Sequence, residues 1–211
     1  MKNYRWKYPL WTLLGAVCFF VAQPLIRFPL LNYLQGTADF AMFSLLYPIA
    51  ALIFLGFSAG IFEETARFLF KMFFLKPIKC PITQPVLFGL GHGLMEAVVL
   101  FLPLFMSGYS IEQLWLGLVE RGLAILLHIA LTIIVWNGFQ TNKRMLYLIA
   151  AITLHGLVNS VLVSLQMLGM SAIHVELLFG VIVLLTTVYV VHSKKFYTNG
   201  GNENERTESE I

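Results

Sequence analysis

Two adjacent glutamates and an arginine interrupt a long apolar stretch, in the segment Ile-Phe-Glu-Glu-Thr-Ala-Arg at residues 61–67. In a helix, Glu63 and Glu64 lie four and three residues before Arg67, so both carboxylates share a face with the guanidinium. An unpaired charge inside a bilayer costs about 3 kcal/mol or more, and such groups usually mark functional sites. The segment therefore predicts either a reactive site or an ion pair that fastens two helices.

Histidines on two other apolar stretches are each followed by a polar residue one helical turn later. His92 precedes Glu96 within Gly-His-Gly-Leu-Met-Glu, and His155 precedes Asn159 within His-Gly-Leu-Val-Asn. Each pair lies on one helical face. Taken singly, such histidines are more often packing residues than catalysts. Their combination with the two glutamates favours a common site.

A third apolar stretch with a histidine contains Glu120, Arg121 and His128. Arg121 and His128 are seven residues apart and nearly in line along a helix. We expect these three residues, together with Glu96, to lie behind the catalytic groups and orient them.

The histidines and the glutamate pair share one depth. At 1.5 Å per residue, His92, His128, His155 and the glutamates each lie about 10–20 Å from the basic end of their own stretch. Separate structural ion pairs need not share a depth, whereas a common site requires it. We expect the layer in the cytoplasmic half of the bilayer.

Water activation is the chemistry that these residue types offer. Adjacent carboxylates repel when both are ionised, so the pair is expected to titrate as a unit, with Arg67 holding one member anionic. The ionised carboxylate takes a proton from water that His92 orients. His155 and Asn159 donate hydrogen bonds to the oxyanion. This set hydrolyses an amide without metal, so we expect no cofactor. Glu63, Glu64, His92 and His155 are also residue types that bind zinc, so a metalloprotease remains the alternative.

The composition is that of an integral membrane protein. Of the 211 residues, 58% are hydrophobic and 12% are charged, whereas soluble domains are about half apolar and a quarter charged. Stretches of about 20 apolar residues span a bilayer. The sequence predicts an all-α bundle of about six such helices over residues 10–31, 40–75, 86–106, 113–136, 145–168 and 174–192.

The stretch 40–75 is too long for one straight span, so we expect it to be long or broken, with bends at Pro48, Gly56 or Gly60. Residues 1–192 are predicted to form one transmembrane domain. The polar tail, 193–211, is predicted to be disordered.

Basic residues alternate along the chain in a way that predicts its orientation. Lysines or arginines lie near residues 2–7, 76–79, 143–144 and 194–195, while the connections 32–39, 107–112 and 169–173 have none. The positive-inside rule then places both termini in the cytoplasm. We expect the bacterial cytoplasmic membrane, contacts with lipid and none with nucleic acid.

Three motifs in this order resemble those of the glutamic intramembrane proteases: Glu63-Glu64-x-x-Arg67, Phe88-x-x-x-His92 and His155-x-x-x-Asn159. That superfamily includes the CAAX prenyl proteases, their immunity-type relatives and the PrsW-type proteases. The Gly-His-Gly-x-x-Glu at 91–96 and the Glu-Arg…His at 120–128 are most similar to the bacterial YhfC-type branch.

The resemblance implies peptide hydrolysis within the membrane, with Glu63 as the base and Glu64 as its hydrogen-bonding partner. The substrate would be a membrane-embedded or membrane-anchored peptide. The prenyl proteases have three residues between the second glutamate and the arginine, whereas this chain has two. That spacing predicts a contact of Arg67 with Glu63.

Other protease classes fit the sequence less well. There is no His-Glu-x-x-His, and Asp39 is the only aspartate in the chain, which excludes an aspartyl dyad. Ser58 stands in a Gly-x-Ser-x-Gly pattern, but the nucleophile elbow needs a strand before its turn. We expect helix packing at Ser58.

Two other functions remain open from the sequence. Glutamates and histidines at mid-depth also form proton relays in transporters, so a proton-coupled transporter is one alternative. A non-catalytic, immunity-type membrane scaffold on the same fold is the other.

Overall fold

The computed structural model describes residues 7–197, and helices account for nearly all of them. The elements are α1 (Tyr8–Phe20), a π-helical segment (Val21–Arg27), α2 (Phe28–Gln35), α3 (Ala38–Leu46), α4 (Pro48–Phe73), α5 (Thr83–Met106), α6 (Ile111–Gln140), α7 (Arg144–Met167), α8 (Ala172–Ser193) and a final 3₁₀ turn (Lys194–Phe196). Six helices in this part of the chain are long and apolar enough to cross a membrane. The predicted all-α bundle of six spans is therefore confirmed, and the protein is an integral membrane protein.

The long stretch 40–75 is broken at one point only. It divides at Tyr47 into the short α3 and the 26-residue α4, which begins at Pro48. Proline disfavours a helical conformation at the residue before it and lacks an N–H, so it starts a helix more readily than it continues one. Of the three predicted bend positions, Pro48 is confirmed, whereas Gly56 and Gly60 lie inside an unbroken helix.

The first span changes its helical winding around Pro24. Residues Val21–Arg27 form a π-helical segment between α1 and α2, so one span runs from Tyr8 to Gln35. π-Helical turns insert a residue into an α-helix and occur often at functional sites. The segment buries Gln23 while Arg27 remains partly buried.

Glycines permit the closest helix crossings. A Cβ atom added to Gly60 would lie 2.8 Å from the backbone oxygen of Ile152, and one added to Gly156 would lie 2.7 Å from the ring of Phe57. These contacts hold α4 against α7. On α5, Gly89 and Gly93 are four residues apart and meet Ile129 and Ile125 of α6 in the same way, a spacing of small residues that permits close helix approach.

The end of the bundle with the connections 74–82 and 141–143 carries Lys76, Lys79 and Lys143; we call it the basic end. The opposite end comprises the connections 36–37, 107–110 and 168–171, which contain no lysine or arginine. Six spans in series place both ends of the described chain at the basic end. The positive-inside rule assigns that end to the cytoplasm.

The basic end is closed by buried polar contacts. Lys71 is fully buried, and its ammonium group donates to Gln84 Oε1 at 2.7 Å and to the backbone oxygens of Leu75 and Pro77 at 3.3 and 3.1 Å. Trp136 Nε1 donates to the same Gln84 oxygen at 3.2 Å. Lys71 thus donates hydrogen bonds to backbone oxygens just after α4 and links α4 to α5 through Gln84.

The ordered chain extends beyond the predicted start of a disordered tail at residue 193. Ser193 is buried, the turn Lys194–Phe196 follows, and the buried Tyr197 donates its hydroxyl to the backbone oxygen of Ile133 at 3.1 Å. Burial raises the pKa of Tyr197 well above its usual range, so its hydroxyl stays protonated. The rest of the predicted tail, residues 198–211, lies outside the described residues.

Candidate active site

Glu63 is surrounded by side chains from three other elements. It is 2% exposed. Gln23 in the π-helical segment donates its side-chain amide to Glu63 Oε1, and His92 Nε2 on α5 lies 2.9 Å from Glu63 Oε2. His128 Nδ1 on α6 lies 3.8 Å from the same oxygen. Groups from three spans besides α4 therefore surround this one carboxylate.

Glu64 is held by different partners. Arg67 Nη1 donates to both of its oxygens, at 2.7 and 2.6 Å, and His155 Nδ1 on α7 lies 2.7 Å from Oε1. Glu64 and Arg67 are fully buried. A charge-assisted pair at this depth neutralises both groups and orients the histidine.

The predicted contact between Arg67 and Glu63 is wrong. Successive residues on an α-helix differ by about 100° in direction, so the two glutamates face different neighbours. Glu63 faces α5 and the π-helical segment, whereas Glu64 faces α7 and shares its side of the helix with Arg67. Arg67 therefore pairs with Glu64 and not with Glu63.

Arg67 also fixes the tautomer of His128. Its Nη2 lies 3.1 Å from His128 Nδ1. Because a guanidinium only donates, Nδ1 accepts and carries no proton. The proton is on Nε2, which donates to Glu96. Arg67 is thus shared between Glu64 and His128.

The residues expected to lie behind the catalytic groups form a chain of contacts. Arg121 donates to Glu96 at 2.9 Å and to Glu120. Glu96 in turn accepts from His128. His128 was expected to lie behind the catalytic groups. In the structure it lies beside Glu63, within the cluster itself.

A cavity of about 400 Å³ meets one side of this cluster. Of the two adjacent glutamates, only Glu63 lines it. Its polar lining residues are Gln23, Arg27, Glu63, Glu96, Glu120, Arg121 and Asn159. The two glutamates therefore differ in access: Glu63 faces space that water and a peptide can occupy, and Glu64 does not.

His155 and Asn159 were predicted to aim donors at one point. The structure places them on the same face of α7, but His155 Nδ1 is engaged by Glu64. Asn159 is half-buried on the cavity wall, and its amide has no hydrogen-bond partner within residues 7–197. Asn159 alone therefore presents a free donor to the cavity.

Gln23 and Arg27 also belong to this cluster, although they were not among the predicted site residues. Arg27 donates to Gln23 Oε1 at 2.9 Å, to Ser58 Oγ at 2.9 Å and to the backbone oxygen of Leu55 at 2.7 Å. Their polarity within an apolar span was the signal. Ser58 accepts from Arg27 and donates to Leu55 within an uninterrupted helix, so no nucleophile elbow exists there.

Three of these residues offer ligand atoms for a metal ion. Glu63, His92 and His128 each contribute one atom, and these atoms lie within 4.8 Å of one another. Two histidines and a carboxylate form a common catalytic zinc set. The contact of His128 with Glu96 matches the carboxylate that often supports a ligating histidine. The donor types thus fit zinc, although a metal at His128 Nδ1 would displace Arg67 from that atom.

Comparison with known proteins identifies the family of the chain. A family model described as "YhfC intramembrane metalloprotease" matches residues 2–107 and 102–183. The chain is also 27% identical to the "Uncharacterized membrane protein YhfC" of Bacillus subtilis (strain 168), over 87% of this chain and 84% of that protein. No solved structure matches the chain significantly.

The family description supports proteolysis and does not favour the transporter alternative. It leaves open whether the reaction uses a metal or carboxylates alone. The match covers well over half of the residues. The chain therefore belongs to the YhfC family of intramembrane proteases.

Proposed function

We propose that this protein is an endopeptidase of the glutamic type, in which Glu63 takes a proton from the water that attacks the peptide bond. The observation that carries the proposal is the difference in access between the two glutamates. Glu63 lines the cavity and contacts His92 at 2.9 Å, whereas Glu64 is enclosed by Arg67 and His155. A base must reach its proton at hydrogen-bond distance, and of the two adjacent glutamates only Glu63 lines the cavity where that water would lie.

His92 orients the base and the water. Its Nε2 donates to Glu63 Oε2, while its buried Nδ1 has no hydrogen-bond partner within the described residues. The ring packs edge-on against Phe19, with centroids 5.2 Å apart. The imidazole is therefore fixed in place, and a small movement of Glu63 frees Nε2 for water.

Glu64, Arg67 and His155 have a positioning role in this proposal. Arg67 offsets the charge of Glu64 and, through His128, reaches the back of the Glu63 cluster. Glu64 in turn holds His155 on α7. This network links α4, α6 and α7 at the depth of the base, so it maintains the geometry that Glu63 needs.

Asn159 stabilises the oxyanion of the tetrahedral intermediate. It is four residues beyond His155 on the same helical face, and it lines the cavity together with Glu63. Its amide is free to donate to a substrate oxygen. A preorganised donor of this kind strengthens as negative charge develops on the carbonyl oxygen.

A zinc-dependent reaction is the second candidate, and the donor set Glu63, His92 and His128 favours it. These residues would hold the ion. A bound zinc lowers the pKa of water and polarises the scissile carbonyl. Glu96 would support His128 through its contact with Nε2. In this candidate Glu63 acts as a ligand, and Arg67 must leave His128.

The substrate in either case is a peptide within or anchored to the membrane. The site lies inside a bundle of six candidate spans, and the cavity combines polar residues with apolar ones such as Leu52, Leu100 and Leu162. A peptide segment that enters from the lipid can bury apolar side chains there while its backbone reaches Glu63.

The test compares two isosteric substitutions with a matched control. Glu63→Gln removes the base and retains the shape, so Glu63-dependent cleavage should vanish. Glu64→Gln removes the counter-charge of Arg67, so we expect a partial loss of cleavage activity and a lower thermal stability. Glu112→Gln, an exposed glutamate in the first turn of α6, is the control.

Activity is followed in two ways. Membrane proteomes of strains with the wild type and with Glu63→Gln identify an uncleaved protein that accumulates in the variant only. The purified protein is then assayed on that substrate in liposomes. Cleavage by Glu63→Gln at the wild-type rate would refute the proposal.

A further inference from the structure

The cavity lies entirely on one side of the layer formed by Glu63, His92, His128 and His155. On α4, all of its other lining residues precede Glu63. On α5 and α7 they follow His92 and His155, and on α6 they precede His128. By chain direction these positions are all displaced toward the opposite end. On α4 to α7 they include Leu52, Leu55, Leu100, Arg121 and Leu162.

The other side of the layer is densely packed. Lys71, Gln84 and Trp136 are fully buried between it and the basic end. Phe88 and Phe139 are also fully buried there; Phe139 packs on Phe68, and Phe88 packs on Trp136. Within residues 7–197, this packing closes the side of the layer that faces the basic end.

A second cavity continues the first toward the opposite end. It has a volume of about 370 Å³ and shares Leu52 and Leu55 with the first. Its wall includes Gln35 at the end of α2, Pro48 at the start of α4 and Met167 at the end of α7. The two cavities adjoin at Leu52 and Leu55, and their walls together extend from Gln35 and Met167 near the opposite end to Glu63.

We propose that the substrate reaches Glu63 from the non-cytoplasmic half of the bilayer. This inference rests on the proposed function, and it names the substrate class. The substrate is a peptide segment whose scissile bond lies in, or is drawn from, the non-cytoplasmic half of the membrane. A substrate tail that is anchored on the cytoplasmic face would meet the closed basic end, so such tails are excluded as substrates.

The test uses single cysteines and a charged, membrane-impermeant maleimide. Leu55→Cys and Leu162→Cys place a thiol on the cavity wall. Ile53→Cys and Val161→Cys, on the same two helices, are matched controls at exposed apolar positions, which face lipid in a spanning helix. The native Cys18 and Cys80 are both buried, and labelling of the unsubstituted protein gives the background.

Orientation is measured in the same vesicles. Lys143→Cys marks the basic end, and Met170→Cys marks the opposite end. Sealed vesicles of both orientations are labelled and compared. The expected result is that Leu55→Cys and Leu162→Cys react from the Met170 side at least about tenfold faster than Ile53→Cys and Val161→Cys, because thiols react as thiolates in water.

Two results would overturn the inference. One is labelling of the cavity cysteines only from the Lys143 side; the other is reaction no faster than that of the lipid-facing controls. Two cavity positions on different helices guard against a variant that does not fold. The assay needs no proteolysis, so its failure leaves Glu63-dependent cleavage standing. Conversely, correct labelling without any cleavage contradicts the proposed function alone.

Discussion

The side-chain amide of Gln23 donates to Glu63 Oε1 from a π-helical segment 40 residues earlier in the chain. Gln23 is itself held by Arg27, whose Nη1 donates to its oxygen at 2.9 Å. The amide orientation is therefore fixed, and its N–H faces the carboxylate. Because Gln23 occupies Glu63 Oε1, the oxygen that would accept the proton from water in the proposed mechanism is Oε2, beside His92.

Gln23→Leu should lower kcat about 10–100-fold and leave KM within a few-fold. The reason is that a hydrogen bond to a charged group contributes about 1.5–3 kcal/mol, and this one positions the base without contacting the substrate. Steady-state kinetics measure both constants, and Asn32→Leu, at an exposed position of the same span and outside both cavity linings, is the control. A rise in KM with kcat unchanged would instead place Gln23 in substrate binding.

The common depth of the site residues was predictable because straight helices convert residue number into distance. Glu63, His92, His128 and His155 do meet across four spans. Which group contacts which was not predictable. Arg67 is within reach of both glutamates. Its pairing with Glu64 depends on the side of α4 against which α7 packs.

The role of Gln23 could not be predicted from the sequence, for a different reason. A proline within an apolar span signals a disturbance, but it does not say how the helix is rewound. The π-helical winding turns Gln23 into the bundle and leaves Arg27 beside it. The break before Pro48, by contrast, follows from the residue itself, because proline restricts its predecessor wherever it stands.

Lys71→Met should reduce stability without affecting the chemistry. The substitution removes three hydrogen bonds and leaves the buried backbone oxygen of Leu75 without its partner, at a cost of about 1–3 kcal/mol. Thermal unfolding in detergent should show a lower Tm, while kcat per folded molecule stays near wild type. Lys79→Met, at an exposed lysine of the same connection, should leave Tm unchanged. A loss of kcat with normal Tm would give Lys71 a role in the reaction.

Chelation should leave activity intact if the carboxylate mechanism operates. Arg67 already donates to His128 Nδ1, one of the three candidate ligand atoms, and a guanidinium cannot be deprotonated to make room. Elemental analysis of the purified protein and assays after dialysis against a chelator measure this. One zinc per chain, lost in His92→Ala and in His128→Ala, together with inactivation that zinc reverses, would establish the metal-dependent candidate.

Asn159→Leu should lower kcat about 10²–10³-fold, the usual cost of losing one oxyanion donor. Its amide has no protein partner in the described part of the chain, so its removal leaves no buried group unpaired. Tm should therefore barely move, and KM should stay within a few-fold. Ser164→Ala, on the same helix but away from the cavity lining, is the control. A large fall in Tm with a proportionate fall in activity would make Asn159 a packing residue and leave the oxyanion without a donor from α7.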